Sequence, residues 1–388
     1  MKILLLTTLM EAGGAQKALL QLARGLARRG HAVTVATMYD KVGIIPHFES
    51  RFGVPIRNLE MKRAAGGGWR AGPVTVAGGL WRLYRMMRDG GFDVLQTFCH
   101  YSNILGQPVG ALAGIPIRIA SQRNRLDAQS PLVRLADRLI ANSPILHRMV
   151  AVSPSNRQYC LEVQRIPAAK LVVVENGIDP ADFPTPSPDA VAGLRAELGL
   201  APGEIVATMV ARLHVQKDHD CLLRALARVA GQLPDLRVLL AGDGVLRPAI
   251  AARIEALGLG GTVRLLGDRR DVPAILGLSD LFVLTSRWEG MPNAVLEAML
   301  AGLPVLATRV DGSRDVVRDG ETGLLVPPGD DAALAEALLA LAGDAARRRA
   351  LGEAGRRRVL EVYSIDRFVD GFERLYLSLQ PEGRAQAA

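Results

Sequence analysis

LFVLTSRWEGMPNAVLEAMLAG, residues 281–302, reads as three pieces in series. LFVLTS is an unbroken apolar run of the kind buried on both faces of a parallel sheet. SRWEGMPN bends at Gly290, Met291 and Pro292, and AVLEAMLAG is a helix stopped by Gly302 and Pro304. Asn293 is the expected N-cap, which would leave the amides of Ala294 and Val295 free at the positive end of the helix dipole, where phosphate is favoured. Glu289 lies on the loop and Glu297 one turn into the helix, with seven residues between them. Alone, Glu297 reads better as an exposed first-turn acid favoured by the dipole. Together the two carboxylates suit a nucleoside diphosphate-sugar held at both ends, Glu297 on ribose hydroxyls and Glu289 on a polyol beyond the phosphates.

The same strand–loop–helix unit recurs on both sides. KILLLTT, HAVTVATM, DVLQTF, PIRIAS and MVAVS alternate with amphipathic stretches in the first half, and EIVATMV, LRVLLAG, TVRLLG and PVLAT do so in the second. Such alternation implies right-handed βαβ crossovers and two mostly parallel, doubly wound α/β domains. ENGIDPADFPTPSPDA, with four prolines from Pro180 to Pro188, marks the connector, with the hinge near residues 176–188. The expected organisation is an N-terminal domain over 1–178, a C-terminal domain over 179–362, and a terminal helix over 363–388 that packs back on the N-terminal domain and ends in a loose tail. Ligands of such sheets sit at the carboxyl ends of the strands, here in a cleft between two facing domains.

Composition narrows the class. The chain has 388 residues, 49% of them hydrophobic, enough for two cores. Cys99, Cys160 and Cys221 are odd in number and unpaired in spacing, which supports neither a disulfide framework nor a zinc site and fits a cytoplasmic protein. MKILLLTTLM is cut off by Glu11 and Gly13-Gly14 before a leader could be complete, and no apolar run reaches the roughly 18 residues a bilayer span needs. The net charge of +8 is uneven: residues 1–180 carry 23 Lys+Arg against 11 Asp+Glu, a net of +12, and the remainder 24 against 28, a net of −4. A basic half suits an anionic partner, whether nucleic acid, phospholipid or phosphorylated substrate, and charge alone does not choose among them.

The Glu-x7-Glu stretch resembles that of retaining GT-B glycosyltransferases, specifically glycosyltransferase family 4. Other family landmarks follow in order: Gly13-Gly14 with Gln16-Lys17, VVVENGID, the Arg-x4-Lys segment at Arg212 and Lys217, LLAGDG at Gly242, LLGDRRDVP, and DGSRDVVRDGETGLLVPPGD. The resemblance implies two Rossmann-like domains around a cleft and transfer of a sugar, with retention, from a nucleotide-diphosphate-sugar, UDP being the expected nucleotide. The acceptor is expected to be the hydroxyl of a lipid-linked or saccharide molecule in cell-surface polysaccharide or glycolipid synthesis. It assigns Arg212 and Lys217 to the diphosphate, Glu297 to the ribose, Glu289 to the transferred sugar, and Gly267, Asp268 and Arg269 to the neighbourhood of the base. No cofactor, metal or nucleic acid is implied. Arg212 and Lys217 would meet the leaving diphosphate, since fixed cations stabilise charge that grows in the transition state. A nucleotide-sugar epimerase and a non-catalytic nucleotide-sugar-binding protein on the same fold remain as alternatives. A nicotinamide oxidoreductase is disfavoured because no GxGxxG follows the first strand.

Other features admit two readings. Asp218-His219-Asp220 matches a DxD metal motif literally, but it opens a helix where Asp is an ordinary cap, and the metal reading is the weaker. Gly242-Asp243-Gly244 could be a plain turn, and Gly13-Gly14 any strand-to-helix turn. After DVLQTF the family resemblance implies a histidine near the sugar. Phe98 and Tyr101 flank His100, which is either that residue or a partly exposed loop histidine. His31 reads as a turn residue. Finally, GGGWRAGPVTVAGGLWRLYRMMRDGG combines Trp69, Trp81, Leu83, Tyr84, Met86 and Met87 with Arg70, Arg82, Arg85 and Arg88, which reads either as a surface helix packing its apolar side on the sheet with solvated arginines outside or, given the basic first half, as a docking surface for an anionic membrane, the inner face of the plasma membrane.

Overall fold

A computed structural model describes residues 1–380 apart from 12, 41, 42, 66, 67, 71, 127 and 128, and gives backbone but no side chains for the rest of 63–70. The loose tail and the side chains of Trp69 and Arg70 therefore lie outside what is described. The chain divides into two compact units, one of Met1–Gly177 with Ile365–Ala388 and one of Ile178–Ser364.

The first unit is built on seven parallel strands: β1 (Lys2–Met10), β2 (Ala32–Asp40), β3 (Ile56–Asn58), β4 (Val94–Phe98), β5 (Ile117–Gln122), β6 (Arg148–Ala151) and β7 (Leu171–Val173), in the order β3-β2-β1-β4-β5-β6-β7. Ile3, Leu4, Leu5 and Leu6 are all fully buried, as a central strand covered on both faces requires. The terminal helix Ile365–Ser378 seats Phe368, Val369, Phe372 and Tyr376 in the core beside Leu19, Leu22 and Leu26. Arg29 Nη1 donates to Asp370 and to Glu373 Oε2 (2.7 Å), and the His31 ring lies 2.7 Å from Glu373 Oε1. His31 is thus a fastening for that helix rather than only a turn residue, and the hydrogen bonds from His31 and Arg29 hold the Glu373 carboxyl below its ordinary range.

Helix Pro73–Gly90 turns part of its apolar side into the core. Leu83 and Met87 are buried against Leu59 and Met61, and Arg82 caps the Leu59 carbonyl (Nε–O 3.1 Å). Arg85 pairs with Asp89, Arg88 donates to Tyr84 Oη (2.7 Å), and Trp81 stacks on Tyr84 while staying exposed. Two of the apolar residues nominated for membrane contact are therefore core residues. Among the described residues, no helix is long and apolar enough to cross a membrane.

A polar layer lies beneath helix Pro131–Asn142, where Asp137 is 1% exposed and accepts from Gln164 Nε2 (3.0 Å). Burial pushes its carboxyl up to about 6, against the opposing hydrogen bonds of Asn103 and Gln164. The folded state therefore holds the proton more tightly than the unfolded chain, so stability is full below about pH 4 and falls as pH rises through about 6. Asp137→Asn removes that loss, and a flip of Gln164 lets its unpartnered Oε1 accept from the new amide. We expect the variant to match the wild type near pH 4 and to be more stable by up to about 3 kcal/mol at pH 7. Thermal melts of both proteins across this range check it; a constant or shrinking gap contradicts it.

The second unit has six parallel strands: β8 (Ile205–Val210), β9 (Leu236–Ala241), β10 (Val263–Gly267), β11 (Leu281–Leu284), β12 (Val305–Thr308) and β13 (Gly323–Val326), in the order β10-β9-β8-β11-β12-β13. In both sheets the order reverses beside the first strand, between β1 and β4 and between β8 and β11. A crevice opens at the carboxyl ends of strands at such a reversal, because the following helices leave to opposite faces.

Candidate active site

The candidate donor residues of the second unit all follow strand ends. Arg212 and Lys217 come after β8, Gly242 after β9, Gly267, Asp268 and Arg269 at and after β10, and Glu289 to Glu297 after β11. Backbone hydrogen bonds join the loops: Ala211 N–Ala241 O 2.9 Å, Leu213 N–Asp243 O 2.9 Å and Gly242 N–Gly267 O 2.7 Å. This close approach explains the glycines. Gly242 has φ +137, and a Cβ there would lie 2.1 Å from Ala211 O; one on Gly244 would lie 2.5 Å from Leu213 O. Gly242-Asp243-Gly244 is therefore more than a turn, since it lets the chain beside Arg212 pack against it.

Lys217 and Glu289 meet. The Nζ–Oε1 distance is 2.5 Å, with the side chains 16% and 7% exposed. Ser286 Oγ donates to the same Oε1 (2.6 Å), and Gln216 Nε2 donates to Trp288 O (2.9 Å) and Glu289 Oε2 (3.5 Å). Thr285 Oγ1 donates to Lys217 O (2.9 Å), and Arg287 N to Gln216 O (2.8 Å). The loops after β8 and β11 are thus stitched into one body. Gln216 and Ser286 were not singled out from sequence, although they stand one residue before Lys217 and three before Glu289. Arg212 stays exposed.

Glu297 is 9% exposed in helix Asn293–Leu300, so it is not the solvated first-turn acid of the alternative reading. The cap itself differs from expectation: Pro292 occupies the N-cap, Asn293 is already helical, and the Val295 amide donates to Pro292 O (3.0 Å). Proline's fixed φ sets the helix start one residue early. Of the two amides expected to face a phosphate, Val295's is spent inside the helix and Ala294's remains the candidate. Met291 is buried, and Gly290 packs so closely on Gly312 that a Cβ on Gly312 would lie 2.4 Å from Gly290 O. Gly267 has φ +73, and Asp268 is exposed. Arg269 is taken up by Asp271 (2.6 Å) and Glu197 (3.0 Å).

The Asp218-His219-Asp220 triplet is committed elsewhere. Asp218 caps helix His219–Val229 from the left-handed region (φ 46) without a side-chain capping bond, and its carboxylate takes a two-pronged contact from Arg287 (2.9 and 3.1 Å). Asp220 binds Arg224 and Arg253. His219 is buried, which pushes its imidazole down to about 4. Among the described residues no group of three or more metal-ligating side chains converges.

In the first unit, Gly13 precedes helix Gly14–Arg28 at the end of β1, and His100 opens helix His100–Leu112 at the end of neighbouring β4. Ser102 N donates to Thr8 Oγ1 (3.0 Å), tying the two strand ends together. His100 follows Cys99, which is strained at φ +75, and burial depresses the imidazole pKa. Phe98 is fully buried on Phe372, so it is a core residue and leaves His100 and Tyr101 as the polar candidates there.

Both units resemble known proteins. The family model described as Glycosyltransferase Family 4 matches residues 12–182, and that described as Glycosyl transferases group 1 matches residues 192–358. The D-inositol 3-phosphate glycosyltransferase of Nocardia farcinica is 30% identical over 362 residues, 88% of this chain and 80% of that protein. The UDP-Gal:alpha-D-GlcNAc-diphosphoundecaprenol alpha-1,3-galactosyltransferase of Escherichia coli is 28% identical over 306 residues, 76% of this chain and 78% of that protein. Among solved structures, Anabaena HepE in complex with UDP and glucose superposes with a TM-score of 0.86 at 22% identity, covering 97% of this chain and all of that one. With family models on both units, a relative matched over most of its length and the GT-B fold, the chain belongs to glycosyltransferase family 4.

Proposed function

We propose that this chain is a retaining, metal-independent hexosyltransferase that moves sugar from a UDP-sugar to a hydroxyl of a lipid-linked or saccharide acceptor at the cytoplasmic face of the membrane. The observation that carries the reading is the buried Lys217–Glu289 contact at the switch point of the second sheet. In this reading the exposed Arg212 guanidinium and the Lys217 ammonium meet the diphosphate, whose charge grows as the glycosidic bond breaks. Ala294 N adds the helix terminus. Glu297 takes ribose hydroxyls. Glu289, fixed by Lys217, Ser286 and Gln216, accepts from a hydroxyl of the sugar, and His100 orients sugar or acceptor. Retention follows from front-face attack, the leaving phosphate helping to take the acceptor proton, which demands placement more than a dedicated base. The relatives favour this donor and acceptor: one is named for UDP-Gal and a diphosphoundecaprenol acceptor, and HepE has been solved in complex with UDP and with UDP-glucose.

Transfer from radiolabelled UDP-sugars to a cell lipid extract tests it. A labelled lipid product supports the reading; a new nucleotide-sugar would point to an epimerase, and saturable binding without turnover to a sensor. Because Asp218 and Asp220 are held by arginines, we expect transfer to survive EDTA. Loss on chelation, restored by manganese or magnesium, contradicts metal independence.

A further inference from the structure

We propose that the outward face of helix Pro131–Asn142 is the surface by which this chain docks on an anionic lipid bilayer. The helix is inside out for a protein in water. Leu132, Leu135 and Leu139 are 78%, 52% and 61% exposed, while the inward face carries Asp137 and Ala141. Spacings of three and four residues put the leucines in one stripe. Arg134 and Arg138 are exposed on the same helix, and among the described residues neither forms an ion pair. Val163, 52% exposed, lies on a segment that packs beside this helix: its neighbour Gln164 donates to Asp137 (3.0 Å), and Gln164 O accepts from Asn142 Nδ2 (3.5 Å). Arg165 follows it, also exposed.

Apolar side chains flanked by exposed arginines fit the boundary of a bilayer, the leucines entering the acyl layer and the guanidinium groups reaching lipid phosphates. Charge selects the occupant. Residues 1–180 carry a net of +12, so two such faces repel one another while an anionic surface attracts them. The Trp81 helix is the poorer candidate, because Leu83 and Met87 are buried and Arg82, Arg85 and Arg88 already bind Leu59 O, Asp89 and Tyr84. The inference rests on the reading of a membrane-presented acceptor only for its purpose, since lipid binding requires no turnover.

Flotation of the full chain on phosphatidylcholine vesicles, with and without phosphatidylglycerol, tests the surface. Wild type should float only with the anionic vesicles and less at high salt. Leu132→Ser/Leu135→Ser/Leu139→Ser should lower the partition coefficient by more than about tenfold, and Arg134→Ser/Arg138→Ser should weaken binding at low salt. Trp81→Ser should float as the wild type does. Melting temperatures equal to wild type show that the leucine variant is folded. Undiminished flotation of the leucine variant, or none by the wild type, overturns the proposal. Sedimentation showing that the triple change splits a dimer without altering flotation assigns the stripe to a second copy instead. A failed transfer assay with intact flotation would fault the enzymatic reading and leave the docking surface standing.

Discussion

Replacing Lys217 with alanine should lower kcat/KM for the nucleotide-sugar on the order of 100-fold, the cost of a charge-assisted contact to the departing diphosphate. Stability should fall as well. Lys217 is the ion-pair partner of Glu289, which is 6% exposed, and its loss leaves a buried carboxylate with Ser286 and Gln216 as its side-chain donors among the described residues. Adding Glu289→Gln to Lys217→Ala should restore much of the melting temperature and none of the activity, because the amide needs no counter-charge but cannot meet a phosphate. Glu297→Ala should cost a similar factor in kcat/KM by releasing the ribose. Wild-type kinetics in purified Lys217→Ala or Glu297→Ala would remove these side chains from the donor site.

The second large effect is expected at Gly242. Its φ of +137 is costly for any L side chain, and a Cβ would meet the Ala211 carbonyl at 2.1 Å, backbone against backbone. Neither side has a flexible end that can yield. Gly242→Ala should therefore destabilise the second unit by about 3 kcal/mol or more, and it should weaken donor binding by displacing the Ala211–Leu213 turn that carries Arg212. Gly193 is the control: it lies in helix Pro188–Glu197 with nothing within 4 Å of its virtual Cβ, so Gly193→Ala should stabilise by about 0.5–1 kcal/mol. Urea melts of both variants check the pair, and a mild effect at Gly242 would show that the loops after β8 and β9 can separate at little cost.

These residues also show what the sequence could and could not disclose. The strands of both sheets were legible because parallel strands buried on two faces appear as apolar runs such as KILLLTT and LFVLTS, whatever their neighbours. Glu289 and Glu297 were legible from the strand–loop–helix unit that carries them, and Arg212 and Lys217 only from the Arg-x4-Lys segment shared with the family the chain resembles. The direct contact of Lys217 with Glu289 was not, since it depends on how two loops 72 residues apart are laid together by Gln216, Thr285 and Arg287. His31 and Glu373 are 342 residues apart, and no local pattern joins them. The cap at Asn293 misled because proline can hold the N-cap by its backbone alone. Helix Pro131–Asn142 was not singled out from sequence, because which of its faces turns inward depends on Asn103 and Gln164, far away in the chain, which hydrogen-bond Asp137 beneath it.

Titration of UDP-sugars into the purified chain in EDTA tests the central claim most directly, that the loops after β8 and β11 form a metal-free nucleotide-sugar site. The account predicts saturable binding, weakened on the order of 100-fold by Lys217→Ala and unchanged by Leu139→Ser. Absence of binding by any nucleotide-sugar without added metal, or wild-type affinity in Lys217→Ala, would contradict it.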